Sequence, residues 1–145
     1  MTKTRLHWHE LPAHVRDGVE AVLGDRVVAA RSQSGGFSPG TADRVRTAGG
    51  GRAFVKAVSP AQNDRSPDLH RAEARIATAL PPDTPAPRLL GSYDDGDWIA
   101  LVFTDVEGRH PVTPWRADEL AAVLSTLETM AGALTPAPAA APTPT

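Results

Sequence analysis

The sequence contains no cysteine, which excludes disulfide bridges and thiolate metal sites. It has no basic excess either: the net charge is −2, and no tract of lysine and arginine indicates nucleic acid or an anionic membrane as a partner. No apolar run is long enough to span a bilayer, and the polar residues 1–5 lack the hydrophobic segment of a signal peptide. Together these absences favour a cytoplasmic protein.

The chain has the size and composition of one globular domain. Its 145 residues, of which 41% are hydrophobic, can bury about two-thirds of the surface that the unfolded chain exposes. Residues 135–145 consist of threonine, proline and alanine. Such a segment cannot pack a core, so we predict a disordered tail there.

The amino-terminal part predicts a helix that must pack against another element. Apolar residues recur at helical spacing through residues 11–23, and Gly24 supplies a stop. Ahead of this helix, Trp8 is interpreted as a packing anchor. His7 and His9 flank it and would share a face of an extended segment, but no third metal ligand is evident.

Five segments read as strands: residues 26–33, 41–47, 52–58, 88–93 and 98–103. Residues 34–40, called the glycine loop below, join the first two. Residues 94–97 include Asp-Gly, which favours a hairpin turn over a calcium site. Because residues 98–103 are almost continuously apolar, we expect the fifth strand to be buried on both faces.

The third strand carries a lysine among apolar residues. In a period-2 strand, Phe54, Lys56 and Val58 share one face, while Val55 and Ala57 share the other. One interpretation is a lysine whose stem covers apolar surface while its ammonium group reaches water. The other is a cation at the floor of a phosphate site, which requires a glycine-rich turn and a carboxylate partner.

A second helix over residues 66–80 supplies the candidate carboxylate. Ser66 is the expected N-cap and Pro67 the first helical residue. Glu73 falls within an apolar stripe, so we expect it to point inward toward a cation. The alternative is an exposed glutamate paired locally with His70, Arg71 or Arg75.

A last helix is predicted over residues 113–134, with Thr113 as N-cap and Pro114 after it. Its apolar stripe is broad for a terminal helix of a small domain. About half of such a surface would ordinarily contact another unit.

The order of these features resembles the N-terminal lobe of the protein-kinase-like superfamily. Within it, the chain is similar to the aminoglycoside phosphotransferase family of actinobacterial type. Four segments of the sequence carry the resemblance, which covers residues 27–108: Gly-Gly-Phe-Ser-Pro-Gly at 35–40, Phe-Val-Lys-Ala at 54–57, His-Arg-Ala-Glu-Ala at 70–74 and Leu-Val-Phe-Thr-Asp-Val-Glu-Gly at 101–108.

The resemblance implies an α+β fold, with a five-stranded antiparallel sheet, a helix of the αC type and flanking amino- and carboxy-terminal helices. Residues 1–108 would form the lobe. Residues 109–134 would be a hinge and the first helix leading toward a missing C-terminal lobe, and residues 135–145 the tail.

The resemblance also implies an ATP site. Lys56 would bridge the α- and β-phosphates, held by an ion pair with Glu73. The glycine loop would cover the phosphates, and the exit segment after the fifth strand would bind adenine through its main chain. The further residues implied are Gly35, Gly36, Ser38 and Gly40 at the phosphates, Val28, Ala42 and Val55 or Ala57 at the adenine face, and Thr104 and Val106 in the exit segment.

The sequence departs from the family in having no catalytic loop. No His-x-Asp followed by asparagine occurs, so this chain offers neither the catalytic aspartate nor the Mg²⁺ ligands. We therefore expect an ATP-binding lobe that is inactive alone, Mg²⁺ being held only if a C-terminal lobe is supplied. In the family, a small-molecule hydroxyl accepts the phosphoryl group. The alternative is a non-catalytic interaction module, with a partner on the exposed apolar face.

Overall fold

The computed structural model describes residues 5–36 and 38–143. Within them the chain is α+β, with one five-stranded antiparallel sheet and three α-helices, which confirms the expected class. The elements are a 3₁₀ turn Trp8–Glu10, α1 Ala13–Leu23, β1 Val27–Ser32, β2 Thr41–Thr47, β3 Arg52–Val58, α2 Ser66–Ala79, β4 Leu89–Asp94, β5 Ile99–Thr104 and α3 Ala117–Leu134. Residues 1–4, Phe37 and residues 144–145, to which some expectations refer, lie outside the described part.

The strands follow the order β1-β2-β3-β5-β4, so β3 and β5 lie inside the sheet. Residues 99–103 of β5 are all buried, as expected for a strand covered on both faces. The β4–β5 turn is a hairpin in which the Asp95 carboxylate accepts hydrogen bonds from the N–H groups of Asp97 and Trp98. The predicted turn is therefore confirmed.

Each face of the sheet has its own helix. On one face, Val15 and Val19 of α1 form a buried cluster with Val55 and Ala57 of β3, and Trp8 closes that cluster as a packing anchor. On the other face, α2 packs against a second apolar cluster that contains Ile99, Leu101 and Phe103 of β5. Because successive side chains of β3 point to opposite faces of the sheet, they lie in two different environments.

The beginning of α2 differs from the prediction. Ser66 is buried in the first turn instead of serving as the N-cap. The capping carboxamide comes from Asn63, whose Oδ1 accepts hydrogen bonds from the N–H groups of Arg65 and Ser66 at 3.0 and 3.1 Å. Because Asn63 already satisfies these amides, the helix does not need the Ser66 hydroxyl as its cap.

The last helix begins at Ala117, not at Thr113. The Glu119 carboxylate accepts a hydrogen bond from the Val112 N–H at 2.9 Å and lies 2.5 Å from Arg109 Nη2. These contacts hold the preceding segment outside the helix. Every residue of α3 is described and none is buried, and Leu120, Leu124 and Leu127 are exposed. No helix within the described ranges has the length and apolar character needed to cross a bilayer.

Gly40 approaches the backbone of β3 closely. Its φ is +94°, and a Cβ built there would lie 2.2 Å from Ala57 O and 3.0 Å from Val58 Cβ. Gly50 has a similar φ of +89°, but its Cβ would meet nothing within 4 Å. Gly40 therefore has a packing role besides its backbone conformation.

We predict that Gly40→Ala destabilises the fold by about 2–4 kcal/mol, whereas Gly50→Ala costs only about 1–2 kcal/mol. Both substitutions place alanine at positive φ, but only the first forces a contact with backbone atoms. Urea denaturation of the two variants measures the difference. Equal losses would show that the close approach to Ala57 is not a constraint.

Candidate functional site

Lys56 and Glu73 form the ion pair expected from the sequence. Lys56 Nζ donates to Glu73 Oε1 at 2.9 Å and to Oε2 at 2.6 Å. The Lys56 side chain is 23% exposed and that of Glu73 is 40% exposed. Because Lys56 lies on the face of β3 that carries α2, the ammonium group meets a carboxylate from the helix, not bulk water alone.

The pair lines an open cleft of about 980 Å³ between the sheet, α2 and the exit segment 104–110. Phe54 and Phe103, cross-strand neighbours on β3 and β5, supply aromatic surface beside Lys56. Leu69 and Ile76 of α2 are 63% and 52% exposed and line the same cleft. Part of the apolar stripe of α2 therefore borders the cleft instead of the core.

His70 is buried next to this ion pair. Its Nδ1 lies 3.0 Å from Ser66 O, so the tautomer that carries a proton on Nδ1 donates to this carbonyl. Burial lowers the pKa of His70, and the neighbouring charge of Lys56 lowers it further, while Glu73 acts in the opposite direction. We therefore expect a neutral imidazole in the folded protein at neutral pH.

An arginine–aspartate pair at the edge of the cleft was not predicted. Arg44 of β2 donates from Nε and Nη2 to the two carboxylate oxygens of Asp105, both at 2.8 Å. Arg52 Nε lies 3.3 Å from the same carboxylate and its Nη1 contacts Glu107. Arg44 holds the pKa of Asp105 below its ordinary value. This network fixes the exit segment to the sheet.

The structure does not bring all the residues predicted for the adenine site into one cavity. Thr104 and Val106 line the cleft, although the Thr104 N–H is already donated to Arg88 O at 2.9 Å. Ala42 pairs with Lys56 across β2 and β3. Val28 is 56% exposed and lines a separate small cavity near Trp8.

The expectation that Val55 or Ala57 contacts adenine is wrong. Both side chains are fully buried in the α1 cluster, on the face of the sheet opposite Lys56. The residue of β3 that shares the cleft with Lys56 is Phe54, as strand alternation requires.

The glycine loop borders a second cavity. Gly35, Gly36 and Ser38 line a polar cavity of about 600 Å³ together with Arg5, and they are not among the residues that line the cleft. Gln33 and Ser34 line both cavities. Thus the two cavities are neighbours, and the start of the loop separates them.

Within residues 5–36 and 38–143, no group of three or more histidine, aspartate or glutamate side chains is placed to hold a metal ion. No protein-family model, curated protein or solved structure matches the chain.

The environment of His70 predicts a pH dependence of stability. Its pKa is lowered in the folded state, so the unfolded chain binds more protons near an ordinary histidine pKa of about 6.5. The stability that His70 contributes is therefore present above about pH 6.5 and lost as the pH falls through the folded-state pKa.

We expect the free energy of unfolding to fall between pH 7.5 and 5.5, with a His70 share of at most about 1.4 kcal/mol per pH unit. His70→Gln, which keeps a donor for Ser66 O, removes that share. His110→Gln, at an exposed position, serves as control. Identical pH slopes for wild type and His70→Gln in chemical denaturation would contradict this account.

Proposed function

We propose that the cleft binds ATP and that the chain is the nucleotide-binding lobe of a kinase of the aminoglycoside phosphotransferase type. The observation that carries the proposal is the geometry of Lys56. An ammonium group has three N–H donors, and Glu73 accepts two of them, which leaves a third for an anion in the cleft.

The dimensions and lining of the cleft support this proposal. A volume of about 980 Å³ lies at the upper end of the range of small-molecule sites. Phe54 and Phe103 offer apolar surface for a base, and Lys56 offers charge for phosphates. Thr104 would contribute its carbonyl oxygen, since its N–H is already engaged.

The placement of α2 also supports a kinase-like lobe. The helix follows β3 directly in the chain and carries Glu73 to Lys56 across a separation of 17 residues. Five antiparallel strands with one such helix are the arrangement that the resemblance implies.

Binding is the only step that these residues support. Transfer of the γ-phosphoryl group to a small-molecule hydroxyl needs a group that positions the nucleophile and cations that neutralise the developing charge. The described residues offer no cluster for Mg²⁺. We therefore propose no chemical step for this chain alone, and a C-terminal lobe would have to supply the catalytic groups.

A second proposal is a non-catalytic interaction module. It is favoured by α3, on which Leu120, Leu124 and Leu127 are 41%, 52% and 55% exposed. Exposed apolar side chains in a row are typical of a surface that contacts another protein or lobe. This proposal requires no nucleotide.

We predict that ATP stabilises the wild-type protein by about 2.7 kcal/mol at one hundred times its Kd. Lys56→Met, which keeps the apolar stem but removes the charge, should lose most of this effect. Arg75→Gln removes an exposed charge from α2 outside the cleft lining and should retain it. Thermal denaturation with and without ATP measures both variants.

The nucleotide proposal fails if ATP leaves the wild type unchanged or stabilises Lys56→Met equally. If ATP does not stabilise the wild-type protein, the result favours the interaction module.

A further inference from the structure

The glycine loop contains two residues whose backbone conformation costs conformational entropy to hold. Gly35 and Gly36 have φ values of +100° and +76°, and glycine loses more conformational freedom on ordering than any other residue. The ladder between β1 and β2 ends with the hydrogen bond from Gln33 N–H to Ala42 O at 2.8 Å. The described loop residues beyond this bond, 34–36 and 38–40, belong to neither strand.

Arg5 of the amino-terminal segment donates hydrogen bonds to this loop. Its Nη2 donates to Gly35 O at 2.7 Å and lies 3.4 Å from Gly36 O, and its Nη1 donates to Gln33 O. These contacts join residues 28 to 31 positions apart in sequence. A planar guanidinium group can donate hydrogen bonds to several carbonyl oxygens in a fixed geometry. A lysine ammonium group lacks this planar arrangement of donors.

Arg5 is itself held close to the sheet. Three residues later, Trp8 is buried in the α1 cluster, and Leu11 is buried beside it. The His7 N–H donates to Glu10 Oε2 at 2.7 Å, which fixes the turn between them. The glycine loop is therefore hydrogen-bonded to a segment that is itself packed against the α1 cluster.

The contacts between Arg5 and the glycine loop also affect the position of two residues that line the cleft. Gln33, whose carbonyl accepts from Arg5, and Ser34 line both the cavity at Arg5 and the cleft that contains Lys56. A shift of the loop backbone would move these residues at the mouth of the cleft. Arg5 itself is absent from the cleft lining, so any effect on a ligand there must act through the loop.

We infer that Arg5 is a positioning residue that fixes the glycine loop and thereby sets the affinity of the cleft for its ligand. The loop-fixing part stands on the contacts of Arg5 alone, whereas the part concerning ATP rests on the function proposed above. The amino-terminal segment is then a component of the site, although it is remote from Lys56 in sequence.

The first arm of the test measures amide hydrogen exchange in the full chain without nucleotide. Arg5→Gln should raise exchange of the Gln33 amide, which donates to Ala42 O at the base of the glycine loop, about tenfold, since two or three hydrogen bonds from a charged group to this segment are lost. Exchange in β3 and α1 should stay unchanged. Arg5→Lys should restore part of the protection, and Arg31→Gln, which removes an exposed charge from β1, should exchange like wild type.

The second arm measures the Kd for ATP by calorimetry on the same variants. Arg5→Gln should bind ATP about tenfold more weakly, with partial rescue in Arg5→Lys. Unchanged exchange of the Gln33 amide in Arg5→Gln overturns the inference, as does an equal effect of Arg31→Gln. Faster exchange with unaltered ATP affinity overturns the link to the cleft.

A wild type without ATP affinity refutes the proposed function and, with it, the nucleotide part of this inference. The exchange arm then still decides whether Arg5 holds the loop. Failure of the nucleotide proposal and failure of the loop-fixing role of Arg5 therefore give different experimental results.

Discussion

A protonated lysine on a half-buried apolar surface is costly unless a counter-charge and hydrogen-bond acceptors replace part of the lost water. In this protein Glu73 provides both to Lys56, at 2.6 and 2.9 Å. The pair forms because β3 turns Lys56 toward α2 and α2 turns Glu73 toward the sheet. Its partial exposure leaves the ammonium group accessible from the cleft. The proposed anion site depends on this pair, whereas the lowered pKa of His70 comes first from its burial.

Strand alternation explains which parts of the site were predictable. The bounds of β2 and β3 agree with the sequence pattern, and the Lys56–Glu73 pair follows from two periodicities, 2.0 in the strand and 3.6 in the helix. The same alternation excludes Val55 and Ala57 from the cleft, and the sequence pattern already indicated this.

Other features depend on contacts between distant residues, which periodicity does not encode. Arg44 and Asp105 are 61 positions apart, and their pairing requires both the register of β2 and the path of the exit segment. The first residues of α2 and α3 differ from the predicted ones, because Asn63 and Glu119 accept hydrogen bonds from backbone amides outside the expected caps. The position of the glycine loop likewise depends on Arg5, for which the sequence offers no local signal.

Acyl transfer from an ATP acyl phosphate tests directly the proposal that Lys56 contacts nucleotide phosphates. In this reaction the lysine amine attacks the acyl carbon, an amide forms and the nucleotide phosphate leaves. Lys3 and Lys56 are the only lysines in the sequence, so peptide mass spectrometry assigns the product without ambiguity. We predict acylation of Lys56 that excess ATP suppresses, with little at Lys3. Equal acylation of both lysines, or acylation of Lys56 that ATP does not reduce, would contradict the account.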